Sequence, residues 1–166
     1  IGMDVRKGDI AFRCNFTTVG DDMVITDRRA GRITEGTDQL AAAVNGMTID
    51  GVEVIFKESV AHRGALILRG EGLGANITDT DPHHEGAKVL MCEPVDPNDA
   101  ASAKTAAAVN EFVKRSYEIL KDHPVNKERQ AQGMQPANII LPRGAGIGPN
   151  LNSFEVEHGL KAACVA

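Results

Sequence analysis

The side chains best suited to chemistry stand in one glycine-rich segment, at positions 62–86. An apolar run at 65–68 predicts a buried strand, which a cluster of glycines ends. The chain after the glycines carries two carboxylates and a histidine at alternate positions: Asp79, Asp81 and His83. A buried strand that leads into such a loop commonly holds polar groups on a rigid scaffold. The segment is therefore a candidate site, although Asp, Gly and Pro are equally typical of a solvated loop.

Metal binding is one chemistry that this loop could support. In an extended segment Asp79, Asp81 and His83 would point the same way and could bind one ion. The adjacent His83 and His84 would point to opposite faces and would not share it. No Gly-x-Ser-x-Gly motif occurs, and Cys14 falls on the apolar face of a predicted strand, so no activated nucleophile is evident. Carboxylates and anion-binding groups without a nucleophile are what half of an active site would contain.

A second candidate site is formed by clustered arginines. Residues 28–32 contain three arginines in five positions, with Gly31 between them. The planar guanidinium group donates in a fork that fits phosphate or carboxylate, so this stretch could bind an anion or could simply be a solvated loop. Arg143 stands in a glycine-rich stretch, 142–149, that follows the predicted strand 138–141. A strand that opens into such a loop resembles a phosphate cradle, although it matches neither the P-loop nor the Rossmann pattern.

Composition excludes several classes of partner. The net charge of −5 provides no general basic field for nucleic acid, and a chain without Trp offers few rings for stacking bases. The three cysteines, Cys14, Cys92 and Cys164, are widely spaced, so neither a zinc ribbon nor a disulfide framework is indicated. No apolar run is long enough to cross a bilayer. We therefore expect a cytoplasmic protein that binds neither nucleic acid nor membrane.

Hydrophobic periodicity predicts the elements that must position these residues. Apolar residues alternate along 9–19, which predicts a strand with Arg13 and Asn15 on its more polar face. Further strands are predicted at 23–26, 51–57, 65–68, 88–92 and 138–141. Helices are predicted at 37–45, 99–121, 126–132 and 153–158, of which 126–132 is polar and expected to be exposed. We predict one α/β domain, a mixed β-sheet with helices packed on it, with α+β as the alternative because of the hairpin signals.

Five stretches, in order, cover nearly the whole chain: DIAFRCNFTTV, ITDRRAGRI, HRGALILRGEGLGANITDTDPHHEG, HPVNKERQAQGMQPANIILPRGAG and FEVEHGLKAACVA. Together they resemble the archaeal-type cofactor-independent phosphoglycerate mutases. The family belongs to the alkaline phosphatase superfamily, and related bacterial proteins have been labelled homoserine kinases. The apolar run at 161–166 reads as the start of a buried strand, so we expect a piece of a longer protein.

The resemblance implies an enzyme that interconverts 2-phosphoglycerate and 3-phosphoglycerate through a phosphoserine, in glycolysis and gluconeogenesis, with no 2,3-bisphosphoglycerate. Residues 1–166 would be the inserted lid domain. The serine and two divalent metal ions (manganese, zinc or magnesium) would lie in a phosphatase-like core outside it, with no metal bound by this part. The expected partners are phosphoglycerate and that core, and a homo-oligomer is left open. The part alone would be inactive.

The resemblance also implies arginines that bind the substrate and a general acid or base. We assign these roles to residues at strand ends or in glycine-rich loops. The expected substrate-binding residues are Arg13, Asn15, Arg28, Arg32, His62, Arg63, His83 and Arg143. The acid/base candidates are Asp27, Asp79 and Asp81. The alternative functions are a non-catalytic anion-binding or assembly module and a homoserine-kinase-like enzyme, the latter ranked last because no nucleotide-binding glycine loop is present.

Overall fold

The computed structural model describes residues 2–147, 156 and 158–160. Within them, six strands form one sheet: β1 (Ile10–Val19), β2 (Ile25–Asp27), β3 (Thr48–Ile49), β4 (Val52–Glu58), β5 (Arg63–Arg69) and β6 (Ile139–Ile147). Three α-helices accompany them: α1 (Thr37–Val44), α2 (Ala100–Leu120) and α3 (Pro124–Ala131). A short 3-10 helix, Ala30–Arg32, follows β2. The prediction of one domain with helices packed on a β-sheet is confirmed.

Strand β1 is hydrogen-bonded to more neighbours than any other described strand. The sheet order is β2-β1-β5-β4-β3, and β6 also pairs with β1. Each pairing among these strands is antiparallel. The hairpin signals in the sequence favoured this arrangement, and the sheet therefore corresponds to the α+β description.

The helices cover the face of the sheet that carries the aromatic residues. Phe16 of β1 meets Phe56 of β4 edge to face, with ring centroids 5.7 Å apart. Phe112 of α2 lies 6.1 Å from Phe56. The even-numbered apolar residues of β1, such as Phe12 and Phe16, are buried in the core on the side of α2. Because side chains alternate along a strand, Arg13 and Asn15 point to the opposite face.

Two predicted elements are wrong. Residues 88–92 form no strand: only one isolated bridge, from Val24 to Lys88, is present, and the Asn110 side chain bonds the backbone N–H and carbonyl of Cys92. The predicted glycine-rich loop after 141 is instead a strand, because β6 continues to Ile147 along the edge of β1. Pairing with a long neighbour overrides the local turn preference of these glycines. The predicted helix 153–158, apart from positions 156 and 158, and the predicted strand 161–166 lie outside the described residues.

Helix α3 is polar in sequence but is fixed at a buried point. His123 caps its first turn and Pro124 occupies its first position. Asn126 is fully buried, and its amide group donates to the carbonyls of Leu120 (2.8 Å) and Ala137 (2.9 Å). Its oxygen accepts from the N–H of Ala137 at 2.8 Å. The helix is therefore tied both to the end of α2 and to the chain that enters β6.

We expect Asn126→Ala to lower the free energy of unfolding by about 3 kcal/mol, because three buried backbone groups would lose their partner. Urea unfolding of the full-length protein measures this loss. Asn98→Ala is the matched control, since the Asn98 side chain is exposed. Equal, small losses in both variants would contradict the anchoring role.

Candidate functional site

Four of the predicted substrate-binding residues share the face of the sheet opposite the aromatic core. Arg13 lies directly across from Arg143 on β6, and Asn15 lies directly across from Arg63 on β5. Directly opposed residues of an antiparallel pair project from the same face. Arg13 and Arg63 are exposed, whereas Asn15 is buried. Residues far apart in sequence thus form one cluster, which we call the arginine face: Arg13, Asn15, Arg63 and Arg143.

A glycine gives Arg13 its position on this face. Gly144 has φ +63°, in the left-handed region, and a Cβ atom there would lie 3.3 Å from a terminal nitrogen of the Arg13 guanidinium group. Any other side chain would therefore crowd Arg13 and strain the backbone. The N–H of Gly144 donates to Oδ1 of Asp79 at 2.7 Å. This bond brings the loop with the predicted carboxylates to the edge of the arginine face.

His62, immediately before β5, has an unsatisfied buried atom. Its side chain is only 9% exposed, and its Nδ1 has no hydrogen-bond partner, as is also true of the Nε atom of Arg143. Buried polar atoms in folded proteins usually have partners, so two such atoms on one side of the sheet are exceptions that require an explanation. The preceding Ala61 has φ 54°, an unfavourable conformation that is often found near functional groups.

The surroundings of His62 favour its neutral form. Burial lowers the pKa of His62, and the positive charge of Arg63 and then of Arg29 lowers it further. Asp27 opposes this shift, and Arg143 adds a smaller lowering effect. The ring thus lies within electrostatic range of both the arginine face and the segment after β2. A neutral imidazole can both accept and donate a hydrogen bond.

Arg28, at the end of β2, is held by Asp81. The two form a bidentate pair, with Nε–Oδ1 at 3.2 Å and a terminal nitrogen 2.7 Å from Oδ2. Burial raises the pKa of Asp81, but hydrogen bonds from Arg28 and from the N–H of His83, with the charges of both side chains, outweigh it. The net effect lowers the pKa of Asp81, so this carboxylate stays ionised and engaged at neutral pH.

The arginine turn, residues 27–32, displays Arg29 and Arg32 in a strained backbone. Ala30, Gly31 and Arg32 have φ values of 47°, 64° and 56°, and such a conformation costs about 1–2 kcal/mol at each non-glycine residue. Asp27 holds the turn, because its oxygens accept from the N–H groups of Arg29 (2.7 Å) and Gly31 (2.9 Å). An open cleft of about 440 Å³ adjoins the turn, lined by Asp27, Arg28, Arg29, Arg32, His83, His84 and Glu85.

The structure thus brings the predicted site residues into two linked groups. Asp79 joins them, because Oδ1 binds Gly144 beside the arginine face and Oδ2 lies 3.4 Å from Nε2 of His83 in the cleft. His83 itself has φ 66° and lies 3.5 Å from a nitrogen of Arg28. Asp27 and Asp81 are both occupied in holding other residues. Of the three carboxylates, Asp79 lies closest to the His83 ring, since Oδ2 of Asp81 is 4.0 Å from Nδ1 of that ring.

No group of three or more His, Cys, Asp or Glu side chains in the described residues could hold a metal ion. The alternative of a metal site at Asp79, Asp81 and His83 therefore has no support, because Arg28 already binds both oxygens of Asp81. In the same part of the chain, no helix is both long and apolar enough to cross a membrane.

Three residues with a role at this site were not assigned from sequence. Arg29 stands in the cluster at 28–32, and its place between Arg28 and Arg32 is enough to mark it as a possible anion-binding residue. Thr80 donates to the carbonyl of Pro142 at 2.7 Å and so holds the loop on β6. Arg129 of α3 reaches the arginine turn from 99 positions away, and no local pattern indicates this.

Comparison with known proteins identifies the family. The family model described as 2,3-bisphosphoglycerate-independent phosphoglycerate mutase matches residues 1–126. A protein of that name from Methanosphaera stadtmanae is 57% identical over 167 residues, which cover 100% of this chain. The chain belongs to this family. A further member, 2,3-bisphosphoglycerate-independent phosphoglycerate mutase 1 from Methanothermobacter thermautotrophicus, is 54% identical over 169 residues, again covering 100% of this chain.

A solved phosphoglycerate mutase structure shares the fold. The cofactor-independent phosphoglycerate mutase of Thermoplasma acidophilum is 42% identical with a TM-score of 0.85, over 99% of this chain and 44% of that one. This chain spans 41% of the length of the two curated mutases named above. The resemblance inferred from the five stretches of sequence is confirmed.

Replacing Asp81 by Asn should lower the free energy of unfolding by about 2 kcal/mol at neutral pH, because a charge-assisted pair is lost. The pKa of Asp81 is lower folded than unfolded, so the pair stabilises the fold above the ordinary Asp value of about 3.9. This stabilisation disappears as the pH falls through the folded pKa. Urea unfolding across this pH range should therefore show the two proteins converging in acid. Asp122→Asn, at an exposed carboxylate, is the control, and an Asp81→Asn effect independent of pH would contradict the assignment.

The pKa of His62, measured by NMR titration of its imidazole, should lie below the ordinary value of about 6.5. Arg63→Gln should raise it, because the largest neighbouring positive charge is removed. Arg115→Gln removes a charge on α2, away from His62, and should leave the titration unchanged. A His62 pKa that does not respond to Arg63→Gln would argue against the electrostatic environment described above.

Proposed function

We propose that this chain is the substrate-binding part of a phosphoglycerate mutase that requires no 2,3-bisphosphoglycerate. The proposal rests on family membership and on the arginine face. A 2- or 3-phosphoglycerate carries a carboxylate and a phosphate, so its binding requires donors for two anionic groups. Arg13, Arg63 and Arg143 form no salt bridge to any described carboxylate, and they are therefore available for such a ligand.

The observation that carries the proposal is the unsatisfied pair beside these arginines. Nδ1 of His62 and Nε of Arg143 are buried polar atoms without partners. A bound carboxylate or phosphate would supply acceptor oxygens to the Arg143 nitrogen and, in the tautomer protonated at Nδ1, to His62. Asn15 adds a buried amide group on the same face.

The arginine turn supplies a second set of donors across the cleft. Arg29 and Arg32 are exposed there, and His83 also lines this cleft. We assign one anionic group of the substrate to the arginine face and the other to the arginine turn. The Arg28–Asp81 pair fixes the base of the turn.

Asp79 is our choice for the general acid or base. Both oxygens of Asp27 accept backbone hydrogen bonds and both oxygens of Asp81 bind Arg28, whereas Asp79 accepts one backbone bond, from Gly144, through Oδ1 alone. The partly exposed Asp79 has an oxygen 3.4 Å from His83, which could exchange a proton with it or with a glycerate hydroxyl.

The remaining chemistry belongs to a core outside this chain. In the proposed enzyme a serine of that core would accept and return the phosphoryl group, and two divalent metal ions held in the same core would supply Lewis-acid stabilisation of its charge. No metal step is assigned to the residues described above, because they contain no suitable ligand group. Residues 1–166 would act as the inserted lid, and their closure over the substrate would exclude water from the phosphoserine. We place the whole enzyme in the alkaline phosphatase superfamily and in the cytoplasm.

Arg63→Ala and Arg143→Ala should each lower kcat/KM by about 100-fold or more while the protein stays folded, because each removes a charged donor to the substrate. The measurement is a coupled mutase assay on the full-length protein without 2,3-bisphosphoglycerate, with manganese and then with a chelator. Arg115→Ala is the matched control, since this arginine pairs with Glu111 on α2.

Loss of activity on chelation, together with loss in both site variants, would support the mutase. Full activity in Arg63→Ala and Arg143→Ala would contradict the site. A folded, metal-loaded protein with no activity towards either phosphoglycerate would favour an anion-binding module or a kinase of a small hydroxy amino acid.

A further inference from the structure

We propose that Arg129 of α3 is a positioning residue that holds the arginine turn in its strained, ligand-facing conformation. The sequence of this helix predicts only a polar, exposed surface. In the structure the Arg129 side chain leaves the helix and contacts two backbone carbonyls. One is that of Ala30, within the turn, at 3.0 Å from a terminal nitrogen. The other is that of Gln135, at 3.0 Å from Nε.

The arginine turn requires such support, because its backbone conformation is unfavourable. Ala30, Gly31 and Arg32 are all left-handed, and two of them are not glycine. Asp27 binds N–H groups of the turn, but it cannot bind a carbonyl oxygen. Arg129 supplies the complementary donor, at the carbonyl of Ala30. Asp27 therefore holds the turn through its N–H groups, and Arg129 holds it through a carbonyl group.

Helix α3 can act as a support because it is itself fixed. Asn126, one turn before Arg129, is fully buried and tied to Leu120 and Ala137. Val125 packs against the chain just after the turn: a Cβ atom at Gly36 would lie 2.8 Å from its Cγ1 atom. The helix thus contacts the segment after β2 at two points, and one of them is the strained turn.

Burial of the guanidinium group supports a structural role in this contact. Burial lowers the pKa of Arg129, with a smaller opposing effect of Glu35. The group is half-buried between the turn and the chain that leads to β6, and it does not line the cleft beside Arg29 and Arg32. Arg129 therefore acts through the turn and does not itself touch the ligand.

Hydrogen exchange of the full-length protein, followed by mass spectrometry, tests this role without any assay of activity. In Arg129→Ala, exchange in the peptide covering residues 27–33 should accelerate about tenfold, because the strained part of the turn loses the side-chain donor to its Ala30 carbonyl. Peptides from β5 and β6 should be unchanged. Arg129→Lys should retain part of the protection, since an ammonium group can reach one carbonyl.

The control is Lys127→Ala, on the same helix at an exposed position. It should leave exchange in residues 27–33 unchanged. Unchanged exchange in Arg129→Ala, or acceleration spread evenly over the whole protein, would overturn the proposal.

The kinetic test rests on the proposed function. Arg129→Ala should raise KM for 3-phosphoglycerate about tenfold with less effect on kcat, because it disturbs binding donors and not the reacting groups. In a protein that already carries Arg29→Ala and Arg32→Ala, adding Arg129→Ala should cost nothing further. Additive losses would overturn the positioning role. If the natural protein showed no mutase activity, the proposed function would fail, while the exchange experiment would still decide the role of Arg129.

Discussion

The hydrogen bonds that β1 makes along both of its edges constrain the rest of the structure. Strand β5 pairs with one edge and β6 with the other, although β6 lies more than a hundred positions away. Because each pairing fixes which residues stand opposite one another, Arg63 and Arg143 must share a face with Asn15 and Arg13. The aromatic core beneath α2 fixes the orientation of β1, since a slip of one residue would bury the arginines.

The arginines of the site divide into a held group and a free group. Asp81 binds Arg28 through two hydrogen bonds, whereas Arg13, Arg63 and Arg143 form no ion pair with a described carboxylate. Like charges in proximity repel, and the chain tolerates this repulsion because strands and a braced turn fix the backbone beneath them. The carboxylates nearby are used for support: Asp27 holds the turn, and Asp79 ties the loop to β6. Such preorganised donors need little rearrangement when an anion arrives.

Local patterns predicted those parts of the molecule that depend on neighbours in sequence. Alternation along β1 correctly directed Arg13 and Asn15 to one face, and the apolar periodicity of α2 gave its position. Local composition failed where distant contacts dominate. The glycines after Leu141 were interpreted as a loop, yet β1 draws them into β6. The pair of Asp81 with Arg28 was not predicted either, because the two residues stand 53 positions apart. Pairing across such separations leaves no trace in a local window.

The unpaired arginine face gives the molecule a strongly uneven electrostatic surface. The chain as a whole carries a net charge of −5, so an anion approaching most of its surface is repelled. Close to the face the sign reverses, and the anion is drawn in over a range set by the Debye length, about 8 Å at physiological ionic strength. Capture of a small anion therefore depends on the ionic strength of the medium. Added salt would weaken both the attraction of an anion to the arginine face and its repulsion from the rest of the surface. The preference of the anion for the arginine face would therefore decrease.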